Sequence, residues 1–215
     1  MTIVKPIMTF ALAGLLLAAG ALPALAASAI SVPTTHTAPP VDPRADDANF
    51  QPAAVAQLGW NSTQSRDADE QTVARVTTDG TYLYVRFDAA QQERINSASV
   101  TDGKSDGDLV WIDLQPGGTS ATSYRFAATP DGSSGATASA GTAPSFQASG
   151  ATYDGGYTVT MKIPIAGLQG AQSGSWSAQF GRSVKASGQQ FVWSHDGNVA
   201  DSGTMTMTTS VGLTP

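Results

Sequence analysis

No cysteine occurs among the 215 residues, and there are only two glutamates and two histidines. Without thiols there is no disulfide scaffold, zinc ribbon, cysteine nucleophile, iron-sulfur centre or cysteine-linked lipid, so the fold must hold by its core alone. Charge is scarce as well: 13% of residues are charged, with 17 Asp+Glu against 11 Lys+Arg, a formal charge of −6 and a pI near 4.6. A surface of that sign repels phosphate backbones and excludes a basic nucleic-acid binder. The same scarcity is unlike a helical bundle, which is rich in Glu, Lys, Arg and Leu. Catalytic groups are equally thin. Glycoside hydrolysis by paired carboxylates would have to draw on Glu70, Glu93 or one of many Asp residues. His36 stands in a Pro-rich stretch, which leaves His195 as the only imidazole of the remaining chain, and no Gly-x-Ser-x-Gly elbow marks a nucleophile. A non-catalytic protein is expected.

What the chain does contain falls into three parts. Residues 1–26 read as an export signal: Lys5 supplies a positive start, Ile7 to Leu22 an apolar run, and Ala24-Leu25-Ala26 a small-x-small cleavage site before Ala27. No later stretch approaches the ~20 apolar residues of a membrane span, so a secreted or periplasmic protein without membrane insertion is expected. Residues 27–45, with Pro33, Pro39, Pro40 and Pro43 among Ser and Thr, show no apolar period and read as a flexible tether. Residues 46–215 form one domain, expected to be monomeric.

Across that domain apolar residues alternate with polar ones in short runs bounded by Gly, Asp and Asn. In Tyr82–Asp88, Leu83, Val85 and Phe87 share one face while Tyr82, Tyr84, Arg86 and Asp88 share the other, the signature of a half-buried strand. Asp79-Gly80 joins it to a strand over 72–77 as a hairpin. Further strands are predicted over 108–115, 123–128, 146–152, 157–163, 175–184, 190–194 and 204–211, with a helical turn near 91–96 or 165–168. About nine strands with tight turns predict an all-β antiparallel sandwich, with jelly-roll or immunoglobulin-like character; a closed β-barrel is the second architecture.

Several of these runs occur in a familiar order. Asp46-Asp47-Ala48-Asn49-Phe50-Gln51-Pro52-Ala53, Val76 to Val85, Asp108-Leu109-Val110-Trp111-Ile112-Asp113-Leu114, Gly155 to Pro164 and Val192-Trp193-Ser194 resemble the landmarks of family 9 carbohydrate-binding modules and of the wider DOMON-like sandwich group. The resemblance spans nearly all of Asp46 to Leu213. It implies a β-sandwich that clamps the end of a glucan chain between two tryptophans, with structural calcium nearby and a polysaccharide or oligosaccharide as partner. It further implies an accessory part in carbohydrate catabolism. The loops that would carry the clamp read Thr101 to Gly107 and His195 to Asp201, and neither contains an aromatic residue other than that histidine's ring.

Candidate ligand-binding residues are therefore Trp111 and Trp193, whose flat apolar faces suit the C–H face of a sugar ring, with Asp113 beside Trp111 on its strand. Packing in the sandwich is the other use of both rings. Tyr82, Tyr84 and Arg86 form a polar-aromatic stripe that lines either a concave face or an ordinary solvated one. Asp102, Asp106 and Asp108 are candidate calcium ligands, since acidic Gly-rich loops can supply carboxylate and carbonyl oxygens, although Asp-Gly pairs also make turns. Cytochrome members of the wider group imply a lesser alternative, b-type haem, for which His195, Met161, Met205 and Met207 are the available ligands. A structural or partner-docking domain is the third reading.

Overall fold

The computed structural model describes residues 28–117, 121–196 and 199–208; the expected export signal lies outside them. In chain order the strands are β1 (Ala29–Val32), β2 (Ala54–Gln57), β3 (Trp60–Asn61), β4 (Arg66–Asp67), β5 (Thr72–Thr78), β6 (Tyr82–Ala90), β7 (Val100–Thr101), β8 (Lys104–Ser105), β9 (Leu109–Pro116), β10 (Tyr124–Ala128), β11 (Ser134–Ala138), β12 (Gln147–Tyr153), β13 (Gly156–Pro164), β14 (Ser175–Val184), β15 (Gln189–Val192), β16 (His195–Asp196), β17 (Val199–Ala200) and β18 (Gly203–Met207). Among the described residues the single helix is one 3-10 turn, Asp47–Phe50. The helical turns expected near 91–96 and 165–168 are loop and hydrogen-bonded turn instead.

Two separate sheets face each other as a sandwich. The larger runs β11-β10-β9-β14-β15-β3-β4, with β18 beside the first half of β14 and β1 outside β18; the smaller runs β12-β13-β6-β5-β2. Their inner faces carry the predicted alternation. Leu83, Val85 and Phe87 from β6 and Tyr157, Val159, Met161 and Ile163 from β13 meet Val110, Ile112 and Leu114 from β9 and Phe180 from β14 in one buried cluster. Phe87 and Phe180 pack ring against ring across the layers, 6.3 Å between centroids.

One charged side chain lies inside this apolar layer. Arg182, on the inner face of β14, is fully buried. It reaches the smaller sheet, donating to Thr72 Oγ1 (2.9 Å), the Ala90 carbonyl (2.8 Å), Glu70 Oε2 (2.9 Å) and Gln91 Oε1 (2.8 Å). Gln91 in turn donates to Asp108 Oδ2 at 3.0 Å.

The stretch expected to be a free tether is partly built into the sandwich. Ala29–Val32 pairs in parallel with β18, from Ala29↔Thr204 to Val32↔Met207. At the next residue the chain crosses to the other layer, where the Pro33 carbonyl accepts from Thr78 N (3.1 Å) and Thr77 Oγ1 (3.0 Å), and Thr35 N donates to the Thr78 carbonyl (2.7 Å). Backbone groups of this Pro- and Thr-rich segment gain ladder partners from both sheets, which a lack of apolar period does not foretell. Further along, the Ala45 carbonyl accepts from Arg86 Nη1 at 2.6 Å.

The β5–β6 hairpin shows how an Asp-Gly turn is fixed. Gly80 takes the left-handed backbone (φ +86), which costs glycine no Cβ clash. Asp79 Oδ1 accepts from Thr81 N (2.8 Å) and Tyr82 N (2.7 Å), and Oδ2 accepts from the Tyr84 hydroxyl (2.7 Å). Burial opposes charge on this carboxyl, but those donors outweigh it and hold Asp79 below the ordinary carboxylate value of 3.8.

Two expectations follow. Because the folded value of Asp79 is depressed, its stabilisation is complete above the unfolded value and is lost as pH falls through the folded one. Asp79→Asn should accordingly flatten the acid limb of thermal stability measured below about pH 4. Arg182→Ala, which strands Glu70 and Gln91 beside an empty buried position, should lower unfolding free energy in urea by about 3–5 kcal/mol.

Candidate functional site

The outer face of the larger sheet carries a row of residues set by strand register. Ala127, Trp111, Gly181, Val192 and Trp60 are successive cross-strand partners on β10, β9, β14, β15 and β3. Trp60, Leu109, Trp111, Ala127 and Val192 form a second buried cluster on this face, with Val100 packed against it. Gly181 is required there: a Cβ would lie 2.1 Å from Trp111 Cζ2, so the indole lies across the bare backbone of β14.

The two loops without a clamp close over this row. The β7–β8 hairpin brings Val100 onto the row and Gly103 over the Arg125 side chain, whose Cδ would be 3.1 Å from a Cβ at that glycine. The β16–β17 hairpin stacks His195 on Trp60, with centroids 4.2 Å apart and planes 11° apart. Trp111 and Trp60 keep only 6% and 8% exposure. Neither is an open platform.

Beside Trp111 the next register row is polar: Thr137, Arg125, Asp113 and Gln179 are successive partners on β11, β10, β9 and β14. Arg125 Nε and Nη2 donate to Asp113 Oδ1 and Oδ2, both at 2.7 Å. The guanidinium carbon stands 5.2 Å from the Trp111 ring centre. The Asp113 carboxylate holds the Arg125 guanidinium above its ordinary pKa. Both side chains stay about one-third exposed and, with Ser123, Tyr124, Thr137 and Ser139, line an open pocket of about 410 Å³. A guanidinium has five N–H donors and a carboxylate about four acceptor sites, so the locked pair still offers donors beside acceptors at its open edge. That pattern suits a hydroxyl pair, since each hydroxyl gives one bond and takes another.

The other sequence candidates lie elsewhere. Trp193 packs edge-on to Phe180 (5.4 Å) within the main core. Tyr82, Tyr84 and Arg86 occupy the outer face of the smaller sheet, on the far side of the sandwich from Trp111 and Asp113. That face is neither solvated nor open at Tyr84 and Arg86, which are buried. Residues 45–50 cover it at Arg86: Asp47 bridges Arg75 (3.1 Å) and Arg86 (3.2 Å), and Phe50 packs beneath the Arg86 guanidinium. Tyr82 stays half-buried under Lys162, whose Nζ is 4.0 Å from the ring centre.

Asp102 and Asp106 are exposed, whereas Asp108 is buried. The Asp108 carboxylate accepts from Asn96 N (2.7 Å), Lys185 N (2.7 Å) and Gln91, and so ties loops together. Among the described residues no group of three or more His, Asp or Glu is arranged to hold a metal. The residues considered for haem are also separated: Met161, Met205 and Met207 pack in the main core, while His195 lies on Trp60. Arg125 and Trp60 were not singled out in the sequence. Arg125 alternates outward in a predicted strand, and only the β9–β10 register places it on Asp113.

A two-layer antiparallel sandwich with an open pocket beside an ion pair on one outer face is the architecture of a ligand-binding module. Residues 41–204 match the carbohydrate family 9 binding domain-like family, and the chain belongs to it. Among curated proteins none matches. A candidate carbohydrate-binding protein from Bacteroides uniformis has a similar fold, with TM-score 0.66 at 14% identity over 85% of this chain and all of that one. A family 9 module from Caldicellulosiruptor kristjanssonii in complex with cellotriose aligns with TM-score 0.59 at 15% identity over 87% of this chain and 98% of its own. The same kind of module in complex with glucose aligns with TM-score 0.57 at 15% identity, over 86% and 100%.

The close approach at Gly181 is directly testable. Gly181→Ala should displace the Trp111 indole and destabilise the fold by about 1–3 kcal/mol, with a shift in tryptophan emission accompanying a lower urea midpoint.

Proposed function

We propose that this chain is an exported, non-catalytic glycan-binding module whose ligand seats at the Asp113–Arg125 pair. The observation that carries the reading is the planar ion pair, fixed on both sides and backed by Trp111, yet open along one edge to a pocket rimmed by hydroxyls. Family membership supports a carbohydrate ligand, and the cellotriose and glucose complexes of the Caldicellulosiruptor kristjanssonii module support a glucan end as its chemistry. Here the recognition rests on hydrogen bonds to vicinal hydroxyls rather than on a pair of exposed rings, because Trp111 and Trp60 are already covered. The residue 1–26 pattern supports export, where such a ligand would be met.

Calorimetric titration with cellotriose, laminaritriose and xylotriose tests the site. Arg125→Ala should weaken binding of whichever sugar binds at least tenfold, about 1.4 kcal/mol, while circular dichroism remains that of a β-sandwich. Undiminished affinity in the Arg125→Ala protein would remove this pocket as the site.

A further inference from the structure

We infer that the chain carries a second glycan site, on the outer face of the smaller sheet around Tyr153. The inference takes its ligand class from the reading above and uses none of the same residues. Tyr153 is 52% exposed, an unusual position for a large ring in a chain that buries all four of its tryptophans. It ends β12 directly opposite Gly156 on β13. Its phenol end crosses that glycine, where a Cβ would lie 2.9 Å from the hydroxyl oxygen. The ring is thus seated on backbone and held in place, with over half of its surface left to solvent.

Three concavities meet at this ring, of about 550, 340 and 240 Å³. The largest is within the range of small-molecule sites, about 300–1,000 Å³. It is lined next to Tyr153 by Gln92, Glu93, Thr152 and Asp154, whose side chains form no hydrogen bond or ion pair among the described residues. They are amide, carboxylate and hydroxyl groups still able to bond a ligand.

On the other side of the ring the partners are already committed. Asp88 accepts from Arg75, from Arg86 Nε (3.0 Å) and from Thr158 Oγ1 (2.9 Å). Acidic and basic side chains along the three concavities, Asp47, Asp88, Glu93 and Asp154 against Arg44, Arg75 and Arg86, nearly cancel. A neutral ligand with an apolar face for the ring and hydroxyls for the surrounding groups fits this lining better than an ion of either sign. With one site on each outer face, the sandwich can hold two glycan chains at once.

Amide chemical-shift mapping separates the two sites, using cellotriose, laminaritriose and xylotriose as probes. With at least one of these sugars, wild type should show shifts at Thr152–Asp154 and Gln91–Glu93. Tyr153→Ala should weaken those at least tenfold, Tyr153→Phe should preserve them, and Arg125→Ala should leave them unchanged. Shifts there but not around Asp113 and Thr137 would uphold this site and overturn the one at Arg125. Silence at 91–93 and 152–154 with all three sugars, or shifts that persist in Tyr153→Ala, would overturn the inference whatever happens at Arg125.

Discussion

Arg182 joins the two layers through a charge buried between them. A fully buried guanidinium is costly to desolvate, and the cost is offset only when its donors find partners with good geometry. Here Glu70, the Ala90 carbonyl, Thr72 and Gln91 take that part, and all four belong to the strands and loops at one end of the smaller sheet. The relay continues from Gln91 to Asp108, whose carboxylate receives the amides of Asn96 and Lys185. One side chain of β14 therefore sets where β5 and β6 lie against the larger sheet and where the 91–96 loop leaves it. The same strand, one residue earlier, provides the bare backbone of Gly181 on which Trp111 rests. Layer spacing and the seat of Trp111 are fixed by adjacent residues, Arg182 and Gly181, on opposite faces of β14.

The two outer faces use their charges differently. On the smaller sheet, Arg75 and Arg86 bind Asp88 within the sheet and Asp47 on the segment that covers it. Asp47 is half exposed, so each of its contacts adds little energy, and the gain lies in orienting the segment over Arg75 and Arg86. On the larger sheet, Arg125 and Asp113 satisfy one another while each keeps about one-third of its side chain exposed. The first set fastens a segment to the sheet; the second leaves donors and acceptors at the rim of a pocket.

How much of this was legible follows from what alternation records. In β5, β6, β9, β13 and β14 the inner residues are mostly apolar, with Arg182 the charged exception, and the predicted boundaries fall within two residues of the observed ones. Short strands such as β3, β4 and β7 have too few residues to show a period. β11 reads Ser-Gly-Ala-Thr-Ala, with small side chains on both faces. β1 has the pattern of a tether in the sequence because its ladder partner, as in Ala29↔Thr204, lies far along the chain. Of the site, Trp111 and Asp113 were visible on one face of β9, but the register that delivers Arg125 and the hairpins that cover the tryptophans are tertiary facts. The Tyr82-Tyr84-Arg86 stripe was visible too. That residues 45–50 lie over it depends on ion pairs between segments that no local pattern connects.

The parallel pairing of β1 with β18 also has a mechanical side. β1 is entered at Ala29, and β18 is left at Met207, at opposite ends of a ladder that runs Ala29↔Thr204 to Val32↔Met207. Tension transmitted through the segments before and after this pair would pull the two strands past one another. Their hydrogen bonds, including Thr204 N to the Ser28 carbonyl and Thr208 N to the Val32 carbonyl, would then be stretched together instead of opening one by one.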